Sequence, residues 1–127
     1  MQTPVTIKKR VAKVVEKKIA PVSDVKIDTP IKKYICDKFG VYNCKIALAI
    51  VQAESGFNDQ AINVNTNGSV DLGLWQISFP THGKRITPAE ALDPYKATDY
   101  AYKLYKEHGD SFESWVAFST GRYLANY

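Results

Sequence analysis

The sequence has no long apolar run: nothing in its 127 residues approaches the ~20 needed to cross a bilayer as a helix. Its first thirty residues lack the apolar core of a secretory signal. No internal repeat of roughly 20–50 residues is visible, which sets aside solenoids and propellers. Two histidines and two cysteines, out of pattern with one another, do not make a four-ligand zinc site. Most of the chain also lacks an excess of either charge. Residues 1–30 carry seven Lys/Arg against three Asp/Glu, which accounts for the whole net charge of +4. Residues 31–127 carry ten of each. A nucleic-acid reader carries its basic face on the folded part, so nucleic acid is not an expected partner. What is present, 45% apolar and 24% charged residues, is the balance of an ordinary globular domain. A chain of this length buries a core without help from metal or disulfide.

Two parts are expected. Residues 1–28 read as a basic arm and linker. Ile7, Val11, Val14, Val15 and Ile19 recur at helical spacing among lysines, and Pro21 and Pro30 bracket a polar stretch. The arm is a tether or a binder of an anionic envelope surface. Residues 29–127 read as one α+β domain, mostly α, expected to act as a monomer. Asp28 or Thr29 caps a helix with Pro30 in its first turn, and Gly40 ends it. Asn43 is expected to cap a buried helix over Lys45–Ser55. Asn67-Gly68 between Ile62–Asn65 and Ser69–Leu72 predicts a small β-hairpin with a type I′ turn. Leu74–Ile77 suits a short helix. Thr87-Pro88-Ala89-Glu90 is a capping box. Asp93-Pro94 starts the longest helix, with Ala97, Ala101, Leu104 and His108 on one face and Gly109 at its end. Asp110 or Ser111 is expected to cap a last helix carrying Phe112, Trp115, Val116 and Phe118.

The chemistry concentrates between residues 54 and 76. Glu54 ends an apolar helix, where the last carbonyls carry partial negative charge and apolar neighbours exclude water. Both favour the protonated carboxyl, the form a general acid needs. Asp71 follows seventeen residues later on the return strand of the hairpin, among Asn63, Asn65, Asn67 and Ser69. Those polar groups favour the ionised form. One carboxyl kept as acid and one as anion is the pairing of glycoside hydrolysis. A solvated Glu at a helix end, or an Asp serving its own turn, is the plainer alternative for each taken alone. Trp75 and Trp115 read as core. Tyr95, Tyr100, Tyr102 and Tyr105 cover the core, and His82 has a weaker claim to the cleft. Cys36 and Cys44 read either as two small buried hydrophobes or as one short disulfide. A tight turn around Gly40 brings them within bridging distance, and the bond is expected if the domain works outside the cytoplasm.

Glu54-Ser55-Gly56-Phe57-Asn58, then Ala61, Asn63, Asn65, Gly68-Ser69, Asp71, Gly73 and Gln76-Ile77 resemble the active-site segment of the lysozyme superfamily. Residues 54–78 are similar to c-type lysozymes, and also to the small soluble lytic transglycosylases of secretion and pilus systems. Over residues 30–123 the resemblance is weaker. Trp115 and Phe118-Ser119-Thr120-Gly121 followed by Tyr123 resemble the transglycosylase C-terminal signature, with Phe118-Ser119 where it reads Tyr-Asn before x-Gly, so the role of the family's tyrosine falls to Tyr123 or is absent. The several disulfides of animal c-type lysozymes are missing, so a bacterial or phage origin is expected.

The resemblance implies a lysozyme-like fold with its hairpin beside the active-site cleft. It implies cleavage of the β-1,4 bond between N-acetylmuramic acid and N-acetylglucosamine in peptidoglycan glycan strands, at the cell envelope, with no metal or cofactor. Glu54 is the implied acid and Asp71 the stabilising anion or nucleophile, the division of labour of lysozyme itself. Ser55, Asn63, Asn65, Gly73, Gln76 and Tyr123 are the implied substrate-side residues. A lytic transglycosylase leaving 1,6-anhydromuramic ends is expected ahead of a hydrolytic muramidase, and both ahead of a non-catalytic glycan-binding module. A wall-degrading domain without an export signal is expected to be part of a longer anchored protein or to be delivered by a phage or secretion machine.

Overall fold

The computed structural model describes residues 25–127. The apolar stripe expected over residues 7–19 lies outside the described residues. Thr29 caps helix α1 (Pro30–Phe39), its hydroxyl accepting from the Lys32 N–H, with Pro30 at the first position. The helix buries Ile35, Cys36 and Phe39 and ends at Gly40, whose φ of +90° few other residues adopt. A tight turn follows, with the N–H groups of Asn43 and Cys44 both donating to the Gly40 carbonyl. Helix α2 (Cys44–Ser55) then begins. Asn43 stands at its cap position but does not cap it. Its side chain turns back and donates to the Phe39 carbonyl. The start of α2 is instead held by the turn and by a disulfide between Cys36 and Cys44, whose Cα atoms are 4.5 Å apart.

Three strands follow: β1 (Ile62–Val64), β2 (Val70–Leu72) and β3 (Ile77–Phe79). They pair antiparallel in that order. The hairpin forms around Asn67-Gly68, but only Gly68 takes a positive φ, so the turn is not type I′. The loop is longer. The Asn65 N–H donates to the Ser69 carbonyl and the Gly68 N–H to the Asn65 carbonyl. The Asn67 carboxamide oxygen accepts from both the N–H and the hydroxyl of Ser69, an Asx-type closure. Leu74–Ile77 is not a helix. Gly73 and Gln76 take φ of +80° and +52°, reversing the chain so that Ile77 opens the third strand.

Helix α3 (Pro88–Ala91) starts with the complete Thr87/Glu90 capping box. Helix α4 (Pro94–Glu107) starts with one Asp93 carboxylate oxygen accepting from Tyr95 and Lys96. It buries Ala97, Tyr100, Ala101, Leu104 and Tyr105, while His108 lies exposed at its C-terminal cap. The last helix starts later than expected. Gly109 and Asp110 are both left-handed, and Ser111 closes only a local turn to Glu113. Residues 111–115 are irregular, which lets Phe112 and Trp115 reach the core before α5 (Val116–Ser119) begins. A 3₁₀ helix (Arg122–Asn126) packs back on α2.

Phe39 centres the core. Its ring lies 5.3–5.5 Å from those of Trp75, Tyr102, Tyr105 and Phe112, geometry in which aromatic pairs add to plain burial. Trp75 is wholly buried and donates from its indole to the Thr98 hydroxyl; Trp115 donates to the Trp75 carbonyl. Both tryptophans are core residues.

Candidate active site

On α2 the core-facing stripe runs Ala47, Ile50, Val51, positions seven, four and three before Glu54, so periodicity places Glu54 on the same stripe. The helix therefore carries its carboxylate inward at the end, and only 14% of that side chain is exposed. Burial pushes its pKa above the ordinary carboxylate value. A backbone hydrogen bond from Ala117 and the Arg122 charge oppose the shift, and the Asp71 charge adds a smaller push upward.

Asp71 sits mid-way along β2, directly across from Asn63 on β1 and Ser78 on β3. Opposed residues share a face of a sheet. The neighbouring Leu72 and Ile77 are buried on the other face, so Asn63, Asp71 and Ser78 form the face turned from the core. Asp71 is half-buried there.

The remaining expected site residues divide by what they touch. The Asn63 amide donates to the Gln76 side-chain oxygen at 2.7 Å. The Gln76 amide donates to the Gly73 and Ala61 carbonyls at 2.9 and 3.4 Å. Gln76 thus ties β1 to the turn before β3 and orients Asn63 beside Asp71. Asn65 is engaged at the hairpin tip, where its amide donates to the Ser69 hydroxyl. Ser55 makes no hydrogen bond to Glu54. Its hydroxyl donates to the Leu74 carbonyl at 2.7 Å, fixing the end of α2 to the β2–β3 turn. The close approach that Gly73 permits is to the protein itself, since a Cβ there would lie 2.0 Å from the Ala91 carbonyl oxygen. Tyr123 stacks on Phe118 with ring centres 5.1 Å apart. Burial raises its phenol pKa. His82 hydrogen-bonds Tyr100 of α4, outside this group. Sequence reasoning missed Arg122, whose guanidinium lies 3.9 Å from a Glu54 carboxylate oxygen. The one signal for it was its place directly after the signature glycine, Gly121. An open groove of about 370 Å³, lined by Lys32, Lys45 and Gln52 among others, faces a different side of α2 and does not include Glu54. Among the described residues no His, Cys, Asp and Glu cluster fit for a metal ion occurs.

Comparison with known proteins follows the same residues. A family model described as a lysozyme-like domain matches residues 38–117, a span holding α2, the sheet, α3 and α4. Protein IpgF of Shigella flexneri and Protein IpgF of Shigella sonnei are each 38% identical to the chain over 98 residues, 67% of this chain and 64% of the relative. The chain therefore spans somewhat less than two thirds of the length of these relatives. A buried acid closing an apolar helix, a three-stranded sheet turning Asp71 outward and a family match over both agree: the chain belongs to the lysozyme superfamily, within its lysozyme-like domains of the lytic transglycosylase type.

Proposed function

We propose that the chain cleaves the β-1,4 bond between N-acetylmuramic acid and N-acetylglucosamine in peptidoglycan as a lytic transglycosylase. The observation that carries this reading is the placement of Glu54 at the end of α2, its side chain only 14% exposed, with the polar sheet face that bears Asp71 near enough for its charge to act on the acid. Glu54 protonates the glycosidic oxygen as the C1–O bond breaks. Asp71 offsets the positive charge on the muramyl ring. The Glu54 carboxylate then takes the proton from the 6-hydroxyl of the same muramyl residue, whose oxygen bonds to C1. The ring closes to a 1,6-anhydro end, Glu54 is again protonated, and no water is consumed. The work is done at the cell envelope, where peptidoglycan lies. Residues 29–127 are the catalytic domain, and residues 1–28 are an arm that tethers it or contacts an anionic envelope surface.

A hydrolytic muramidase is the second reading, and the intact Asp71 favours it, since a carboxylate on the opposite wall serves a nucleophile or holds a water. Mass analysis of digested sacculi separates the two. Anhydro ends are lighter than reducing ends by one water. Under the first reading Asp71→Asn loses roughly tenfold in rate, well short of the loss in Glu54→Gln. Reducing ends alone, with Asp71→Asn as inactive as Glu54→Gln, select hydrolysis.

A further inference from the structure

Arg122 stands beside the acid with most of its hydrogen-bonding capacity unused among the described residues. A guanidinium offers five N–H donors. The contacts seen are the 3.9 Å approach to Glu54 and a 3.3 Å bond to the Ala53 carbonyl. Both are long beside the roughly 2.7–2.9 Å of a well-made guanidinium–carboxylate pair. The Arg122 side chain is 53% exposed and that of Glu54 only 14%, so Arg122 forms the solvent rim of a buried acid. Gly121 is left-handed, at φ +79°, and opens the 3₁₀ helix whose first residue is thereby carried back over the end of α2. The position is built, and the ion pair occupying it is weak.

This inference rests on the glycan-cleaving reading above. A muramyl residue carries a lactyl ether two carbons from the C1 at which cleavage occurs. That ether ends in a free carboxylate on a bare glycan. On a glycan with stem peptides it ends in an amide, and the carboxylates lie on the peptide. We propose that Arg122 is the binding residue for a carboxylate of the muramyl unit, and that it leaves Glu54 to make that contact. A carboxylate presented in the plane of the guanidinium accepts two N–H bonds, which the present contact with Glu54 does not supply. Besides the Ala117 backbone N–H, the charges that act on Glu54 are Arg122 from the 3₁₀ helix and Asp71 from β2. Once the substrate carboxylate neutralises Arg122, the cation that favours an ionised Glu54 is gone. The acid then keeps its proton when the glycan is in place.

The test uses a disaccharide that is not turned over: N-acetylglucosamine β-1,4-linked to N-acetylmuramic acid, which lacks the scissile linkage. Its affinity for the full chain is measured by calorimetry or NMR titration as the free acid, as the lactyl methyl ester and as the stem-peptide amide. The wild-type chain is expected to bind a carboxylate-bearing form roughly tenfold more tightly than the ester, the size of a charge-assisted hydrogen bond. Tight binding of the free acid places the contact on the lactyl group, and of the peptide form on the stem. Arg122→Met removes the preference and Arg122→Lys keeps part of it, because a lone ammonium retains charge without the fork. On sacculi, Arg122→Met raises KM more than it lowers kcat. The same change moves the falling, alkaline limb of the kcat/KM profile to higher pH, since the free acid has lost its cation. Equal affinity for acid, ester and peptide forms, absence of binding by all three, or a preference that survives Arg122→Met overturns the proposal. A preference lost in Arg122→Met, in a chain that releases nothing from sacculi, defeats the glycosidase reading and leaves the recognition site standing.

Discussion

The helical side of the molecule and its sheet side are held by different forces. On the helical side Ile35, Ala47, Ile50 and Val51 are closed to solvent and Phe39 lies among four other rings. Apolar burial is non-directional and scales with area. On the sheet side β1 is exposed along its whole length. What fixes it, beyond its ladder with β2, is a set of side-chain hydrogen bonds running from Asn63 through Gln76 to the Gly73 and Ala61 carbonyls. Hydrogen bonds have direction. Stability is concentrated in one half and the aim of the site residues in the other, and Glu54 stands on the seam.

The sharpest test of that division is at the seam. Glu54→Gln is expected to cut release of muropeptides at least ~10²-fold, the usual loss with a required general acid, while circular dichroism stays unchanged. It is also expected to raise the melting temperature at pH 7. The native carboxyl has a higher pKa than the unfolded one, so between the two values the native state binds more protons. Native stability therefore falls as pH rises through that window, and the penalty is complete once the pH lies above the native value. The amide has no such penalty. The difference should close as the pH drops below the unfolded carboxylate value. Next, Phe39→Ala should destabilise by roughly 3–5 kcal/mol in denaturant titration, because a ring at the centre of the core leaves a cavity. Its activity below the melting transition should fall little. Replacing both Cys36 and Cys44 by Ser should cost about 2–3 kcal/mol by the chain-entropy account for an eight-residue separation. The smallest stability effect is expected on the sheet. Gln76→Ala should cost about 1 kcal/mol, yet reduce kcat/KM roughly tenfold as Asn63 loses its partner. A Gln76→Ala chain with normal activity and a collapsed melting temperature breaks the comparison.

The helices were legible because their ends are written in side chains. Thr29, the Thr87/Glu90 pair and Asp93 each accept the backbone N–H bonds that the sequence pattern promises. The third strand was not, because Leu74–Ile77 shows no alternation and its reversal depends on a left-handed Gln76, which side-chain identity does not announce. The last helix was misplaced because aromatic packing of Phe112 and Trp115 outweighs the helix signal before Val116. In the site, spacing and motif lead to Glu54 and Asp71. Motif alone does not say which way a side chain faces. Ser55, Gly73 and Gln76 read as cleft residues, and each is engaged inside the protein, with Leu74, Ala91 and Ala61 respectively. Arg122 escaped because its one signal, the place directly after Gly121, does not say that the chain turns back over the end of α2.

Helix α2 is fastened at both extremities: its first residue, Cys44, is covalently joined to α1, and its last, Ser55, is hydrogen-bonded to the β2–β3 turn. Mechanically it is a strut with two fixed ends. A slip by one residue would move it about 1.5 Å along its axis and swing Glu54 through about 100°. Neither fixture permits the slip. The freedom left to the acid is rotation about its own side-chain bonds. Any change in the aim of the carboxyl is thereby a local rotation on a stationary mount, and the helix that carries it stays where its two fixtures hold it.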